Sequence, residues 1–134
     1  MLVLQNCKVD EFNEIKEFLA KEGIRDLVLE GIIYIALDDN ELIGVGKALE
    51  KDKKWIIEYL VIREDKRNQQ IGDGLLRAIL NKLYNQGIEK IYSSSNNDYL
   101  LKKGFILNCE SHLELSISDF FSKGCKCCGG YNEL

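Results

Sequence analysis

One segment of the 134-residue chain, LVIREDKRNQQIGDGLLRAIL from Leu60 to Leu80, constrains the fold more than any other. It begins in Trp55 to Ile62, a run apolar on both faces, as expected of a strand covered on both sides. A charged loop then leads directly into a helix. In that helix Leu75, Leu76, Ile79, Leu80 and Leu83 share one face, Arg77, Asn81, Lys82 and Asn85 lie away from it, and Gly87 stops it. A strand running through a loop into a helix N-terminus makes an anion site. The first N–H groups of the helix have no internal partner, its dipole favours negative charge, and Gly72 and Gly74 allow close backbone approach.

The rest of the chain supplies a sheet for this unit to join. Leu2 to Leu4 is a short apolar strand. Asp10 is expected to cap a helix whose apolar side is Phe12, Ile15, Phe18 and Leu19 and which stops at Gly23. A hairpin follows, Ile32 to Leu37 and Leu42 to Leu49, turned through Asp38, Asp39 and Asn40, and Glu50 to Lys54 make a second turn. After the central helix come a strand at Ile88 to Ser93, a short helix near Asp98 to Lys103, and strands at Phe105 to Cys109 and His112 to Ile117. Antiparallel hairpins around one strand-helix-strand unit imply an α+β fold. Gly44 and Gly46 stand inside a strand with no helix behind them, so they are packing or bulge positions and not a dinucleotide loop.

Composition excludes several functions. A net charge of −4, with Lys and Arg scattered, argues against a nucleic-acid partner. It gives a slight bias toward a cationic acceptor such as an amine. No run approaches the ~20 apolar residues of a membrane span, and the N-terminus meets acidic residues too early for a signal peptide. Five cysteines, three of them crowded at the end, do not resemble a secreted disulfide framework, so a cytoplasmic protein is expected.

The segment from Glu58 to Phe105 resembles the GNAT superfamily of acetyl-CoA-dependent N-acetyltransferases. In that family a strand ends in a Val-x-Pro-like step and is followed by Arg/Gln-x-x-Gly-x-Gly/Ala. Ile62 matches the Val, Arg67 the Arg/Gln, Gly72 the second Gly, and Leu75-Leu76 the apolar anchor, with no gap from Ile62 to Gly74. The sequence KKGF, Lys102 to Phe105, is similar to the Gly-Phe ending of the family's last helix. Gln70 stands at the first motif glycine and Glu64 at the proline; ordinary helical dihedrals at Gln70 would make the glycine unnecessary.

The resemblance implies a mixed, mostly antiparallel sheet with a splayed central strand pair and helices on both sides. It also implies acetyl-CoA as co-substrate, held by Leu60, Val61, Ile62, Arg67, Asn68, Gln69, Gln70, Ile71, Gly72, Asp73 and Gly74. Backbone N–H groups near Leu60 to Ile62 would polarise the thioester carbonyl. Glu58 is the candidate base, since strand alternation sets it on the face of Leu60 and Ile62. The family's acid, a tyrosine, falls at Leu100. Tyr99, one position earlier, is the candidate acid, with core packing as its competing role.

The expected organisation is therefore a GNAT-like acetyltransferase domain over 1–120 and a Cys-rich tail over 121–134. The expected activity is acetyl transfer to a small-molecule or protein amine, with a non-catalytic acyl-CoA-binding module as the alternative. The resemblance leaves homodimerisation open. Cys125 and Cys128 form one CxxC where structural zinc usually takes two, so inert thiols are expected and no metal site. His112 is read as a sheet residue.

Overall fold

The structure is a computed structural model. It describes residues 2–26, 29–67, 70–93, 98–108, 112–126, 129–130 and 132–133, with side chains through Ser122. Its centre is a three-strand meander, β2 (Ile32–Asp38), β3 (Glu41–Lys51) and β4 (Lys54–Ile62). Both connecting turns put two residues at positive φ, Asp39 (51°) and Asn40 (70°), then Asp52 (52°) and Lys53 (66°). That geometry matches the right-handed twist of paired strands, and Asn and Asp tolerate it better than most residues. β1 (Leu2–Asn6) adds antiparallel to β2.

After β4 come α2 (Ile71–Asn85), β5 (Lys90–Ser93), α3 (Asp98–Lys102), β6 (Ile106–Leu107), β7 (Leu113–Ser116) and α4 (Ile117–Lys126), while α1 (Phe12–Lys21) lies between β1 and β2. The seven strands form one sheet in the order β1-β2-β3-β4-β5-β7-β6. Within this sheet every pairing is antiparallel except that of β4 with β5. This parallel pair is short, Trp55 opposite Ile91 and Ile56 opposite Tyr92, and beyond Ile56 the strand β4 has no described partner on that side. The expected splay is present.

The two faces of the sheet bury different helices. Ile15 and Leu19 of α1 pack with Ile33, Ile35, Val45 and Val61 on one face. On the other, Leu76, Ile79, Leu80 and Leu83 of α2 pack with Ile57, Ile91, Leu100 and Phe105. Each fully buried aliphatic side chain contributes about 1.5–3 kcal/mol, so these two stripes account for much of the stability. Gly44 and Gly46 leave room for β4 side chains and for α2: a Cβ at Gly44 would lie 2.8 Å from Ile62 Cδ1 and 3.3 Å from Leu75 Cδ1, and one at Gly46 2.7 Å from Leu60 Cδ2 and 3.2 Å from Ile79 Cδ1.

Three local expectations change. Asp10 does not cap α1; a single 3-10 turn, Val9–Glu11, precedes the helix, and the Lys8 N–H donates to Glu11 Oε1 at 2.8 Å. The terminal strand ends at Ser116, and Ile117 opens α4, which spans the expected boundary between residues 120 and 121. Ile117, Phe120 and Phe121 stand at helical spacing. Phe120 is buried, and Phe121 meets Tyr84 of α2 edge-on at 5.5 Å. The third change lies in β4. Tyr59 is opposite Lys47 but Ile57 is opposite Ala48, so Glu58 is an extra residue, a β-bulge. Ile57 accordingly packs on the α2 side and Tyr59 on the α1 side. Cys109, Cys127 and Cys128 lie outside the described residues, and so does the CxxC reading.

Candidate active site

Where β4 parts from β5, the N-terminus of α2 opens into a cleft of about 690 Å³. Helix geometry determines what it offers. The first bond of α2 runs from the Gly74 N–H to Gln70 O at 3.1 Å, so the N–H groups of Ile71, Gly72 and Asp73 lack helical partners. The Gln70 side chain does not cap them, and all three residues line the cleft.

The two glycines of the loop do different work. A Cβ at Gly72 would meet nothing nearer than Tyr99 Oη at 3.6 Å, so the space is open toward the cleft. At Gly74 it would meet Leu4 Cδ1 of β1 at 2.6 Å. Gly74 is a packing position; it does not line the cleft, and its N–H is already used. Gln70 does not take helical dihedrals. It holds φ 62° and ψ 19°, the left-handed region that the family's glycine would occupy without strain.

Along β4 the ladder assigns the backbone donors. The Arg63 N–H donates to Ile43 O of β3 at 2.8 Å, so by alternation Val61 also faces β3, while Leu60 and Ile62 face the splay. The Ile62 carbonyl confirms this direction, accepting from Arg67 Nε at 3.0 Å and not from β3. Of the expected β4 donors, Leu60 and Ile62 therefore present N–H groups to the cleft and Val61 does not.

Charge gathers at the mouth. Arg67 donates to Glu22 Oε1 at 3.2 Å with half its side chain exposed, and Lys66 and Lys103 line the cleft. Asp73 would repel an anion, but Lys103 Nζ at 2.7 Å and Arg77 Nε at 3.0 Å neutralise it. Burial pushes its carboxyl up, yet the hydrogen bonds and charges of those two cations outweigh that and hold it below the usual carboxylate range. Asn68 and Gln69 lie outside the described residues.

Glu58 lines the cleft, but not by the route expected. The bulge breaks the two-residue alternation with Leu60 and Ile62, and its Oε2 turns to 3.8 Å from Lys51 Nζ. Tyr99 and Leu100 both line the cleft, but Leu100 is also packed in the core at 3% exposure while Tyr99 is 37% exposed. Burial, then the Asp73 charge, pushes the Tyr99 hydroxyl up to about 12.

Sequence reasoning missed a buried network beside the cleft. Lys47, with 4% of its side chain exposed, donates to Asp26 Oδ2 at 2.8 Å, and Tyr59 Oη donates to the same oxygen at 2.7 Å. Burial and the Asp26 bond push the Tyr59 hydroxyl well above the usual phenol range. Partners separated by 21 and 33 residues leave no local signal. Ser93, buried at the end of β5, and Lys103 of the KKGF motif also line the cleft unforeseen.

A seven-stranded α+β sheet that opens at its one parallel pair beside a helix N-terminus is an arrangement suited to an anionic ligand. The profile of the acetyltransferase (GNAT) family matches residues 4–103, and the chain belongs to that family. The fold is shared with the ribosomal-protein-S18-alanine N-acetyltransferase from Escherichia coli (TM-score 0.70, 9% identity, covering 87% of this chain and 94% of that one). It is also shared with a GNAT family acetyltransferase from Brucella melitensis solved with acetyl-CoA (TM-score 0.68, 14% identity, 87% and 88% covered). A third match is the PaiA N-acetyltransferase from Thermoplasma acidophilum solved with coenzyme A (TM-score 0.69, 14% identity, 87% and 99% covered). No curated protein sequence gives a significant match. Acetyl-CoA as co-substrate fits the family, and the residues fit it here: amides without helical partners at Ile71 to Asp73, open space at Gly72, and cations at the mouth. Among the described residues no helix is long and apolar enough to cross a membrane.

Proposed function

We propose that this protein is an N-acetyltransferase that moves the acetyl group of acetyl-CoA directly to an acceptor amine. The observation that carries this reading is the set of Ile71, Gly72 and Asp73 amides opening on a cleft whose other wall is the freed edge of β4. The amides hold the pyrophosphate, with Lys66, Arg67 and Lys103 at the mouth adding positive charge. Bound acetyl-CoA supplies an activated thioester carbonyl beside β4. The Leu60 or Ile62 N–H donates to its oxygen where negative charge develops.

Glu58 takes the proton that the amine must lose as its nitrogen bonds to the carbonyl carbon and the C–S bond breaks. Tyr99 serves the leaving sulfur as a hydrogen-bond donor. With its hydroxyl pushed up to about 12 and a thiol near ~8.5, complete proton transfer to the thiolate would be uphill. The coenzyme leaves as thiolate.

A thiol-release assay with acetyl-CoA over a panel of small-molecule and peptide amines, run beside calorimetry of CoA binding, tests this reading. Release on at least one amine is expected. Glu58→Gln should keep CoA affinity and lose turnover, with the loss shrinking as pH rises and more amine is already deprotonated. The second reading, a non-catalytic acyl-CoA-binding module, is favoured by Leu100 in the core where the family has its acid. Binding without release on any amine would select it.

A further inference from the structure

A second, smaller hollow of about 250 Å³ lies beside the first, and Ser93 lines both. Ile56 and Tyr92, register partners at the last paired step before the splay, line it together with Lys51, Lys54 and His112. Its volume is below the roughly 300–1,000 Å³ of pockets for drug-sized ligands, which suits a small acceptor.

The charge arrangement here is unusual. Lys51 and Lys54 are directly opposed across the β3/β4 ladder, so two cations leave the sheet on the same face. Opposed like charges destabilise a ladder, Glu58 beside Lys51 and Glu114 near Lys54 offset part of that repulsion, and a further anion between the two cations offsets more of it. Lys54 Nζ lies 5.1 Å above the Tyr92 ring. Lys51 Nζ stands 3.8 Å from Glu58 Oε2, and Glu58 lines the first cleft, so a cation and an anion stand side by side where the two hollows meet. Asp52, in the turn, is the carboxylate among the second hollow's described lining residues.

We propose that this second hollow binds the carboxylate of the acceptor, which makes the acceptor an α-amino acid; this rests on the acetyltransferase reading. An α-amino acid carries its amine and carboxylate on one carbon. It can lie head to tail against the pair, with the amine toward Glu58 and the splay and the carboxylate toward Lys51 and Lys54. Ile56 and Tyr92 offer apolar surface to its side chain.

The test is calorimetric titration of the proteinogenic L-α-amino acids and of their carboxamides, into the free protein and into protein saturated with CoA. At least one acid should bind about tenfold more tightly than its own amide, with both measured at a pH low enough that the α-amine of each is protonated, a contrast that keeps the amine in place and removes the carboxylate charge. Lys51→Gln and Lys54→Gln, separately and together, should remove that preference and leave CoA affinity unaltered. Both lysines are exposed, so the single variants remain folded if the double does not. Equal binding of acid and amide, no binding of any acid, or a preference that survives both substitutions would overturn the proposal. Failure of CoA to bind would instead overturn the acetyltransferase reading, while the comparison on free protein still decides this one.

Discussion

Gln70 is the residue at which backbone strain and ligand binding meet. A left-handed conformation costs a non-glycine residue about 1–2 kcal/mol, and glycine gives back about 0.5–1 kcal/mol of that through its greater entropy loss. Gln70→Gly should therefore raise stability by up to about 1 kcal/mol in thermal melts and tighten CoA binding by calorimetry, because it also removes a side chain from the cleft wall. Gly72→Ala and Gly74→Ala form a contrasting pair. Both should stay within about 1 kcal/mol of wild-type stability, since alanine favours a helix and Leu4 can turn its tip. Only Gly72→Ala should weaken CoA binding, because only its Cβ enters the cleft. Equal effects of the two on CoA would mean that the loop does not hold the ligand as argued.

At the scale of elements, the N-terminus of α2 works only while Asp73 is neutralised. Its folded pKa is depressed, so its contribution to stability is present above the unfolded value near 3.8 and is lost as pH falls through the folded one. Acid titration of stability should show this loss in wild type and a shallower one in Asp73→Asn. Lys103→Ala should weaken CoA binding more than its distance from a phosphate alone suggests, since it also leaves Asp73 less compensated beside the anion. The link between β3, β4 and the segment after α1 depends on Asp26. Asp26→Ala leaves buried Lys47 without that carboxylate and should cost about 3 kcal/mol or more, whereas Tyr59→Phe should cost about 1 kcal/mol. Denaturant unfolding of the two variants gives the comparison.

The whole molecule responds to the cofactor because its cleft is lined by four elements at once: β4, the start of α2, α3 and the end of β5. A ligand present at a hundred times its dissociation constant adds about 2.7 kcal/mol to the native state, a melting shift on the order of 10 °C for a domain of this size. CoA should produce such a shift. Its absence at millimolar CoA would remove the basis for the site.

The sequence by itself determined the order of elements as far as β7, the central strand-loop-helix unit and the family, because each rests on local periodicity, turn chemistry and spacing. Ile62, Arg67, Gly72 and the leucine face of α2 were legible in that way, and so was α4, whose Ile117, Phe120 and Phe121 spacing was present but assigned to a strand and a tail. Only the tertiary structure decided the bulge at Glu58, the left-handed Gln70, the packing role of Gly74 and the burial of Leu100 beside a partly exposed Tyr99. Each depends on what a neighbouring element leaves room for. The Asp26–Lys47–Tyr59 network and the opposed Lys51 and Lys54 depend further on strand register, and register is a property of two segments together that neither segment encodes alone.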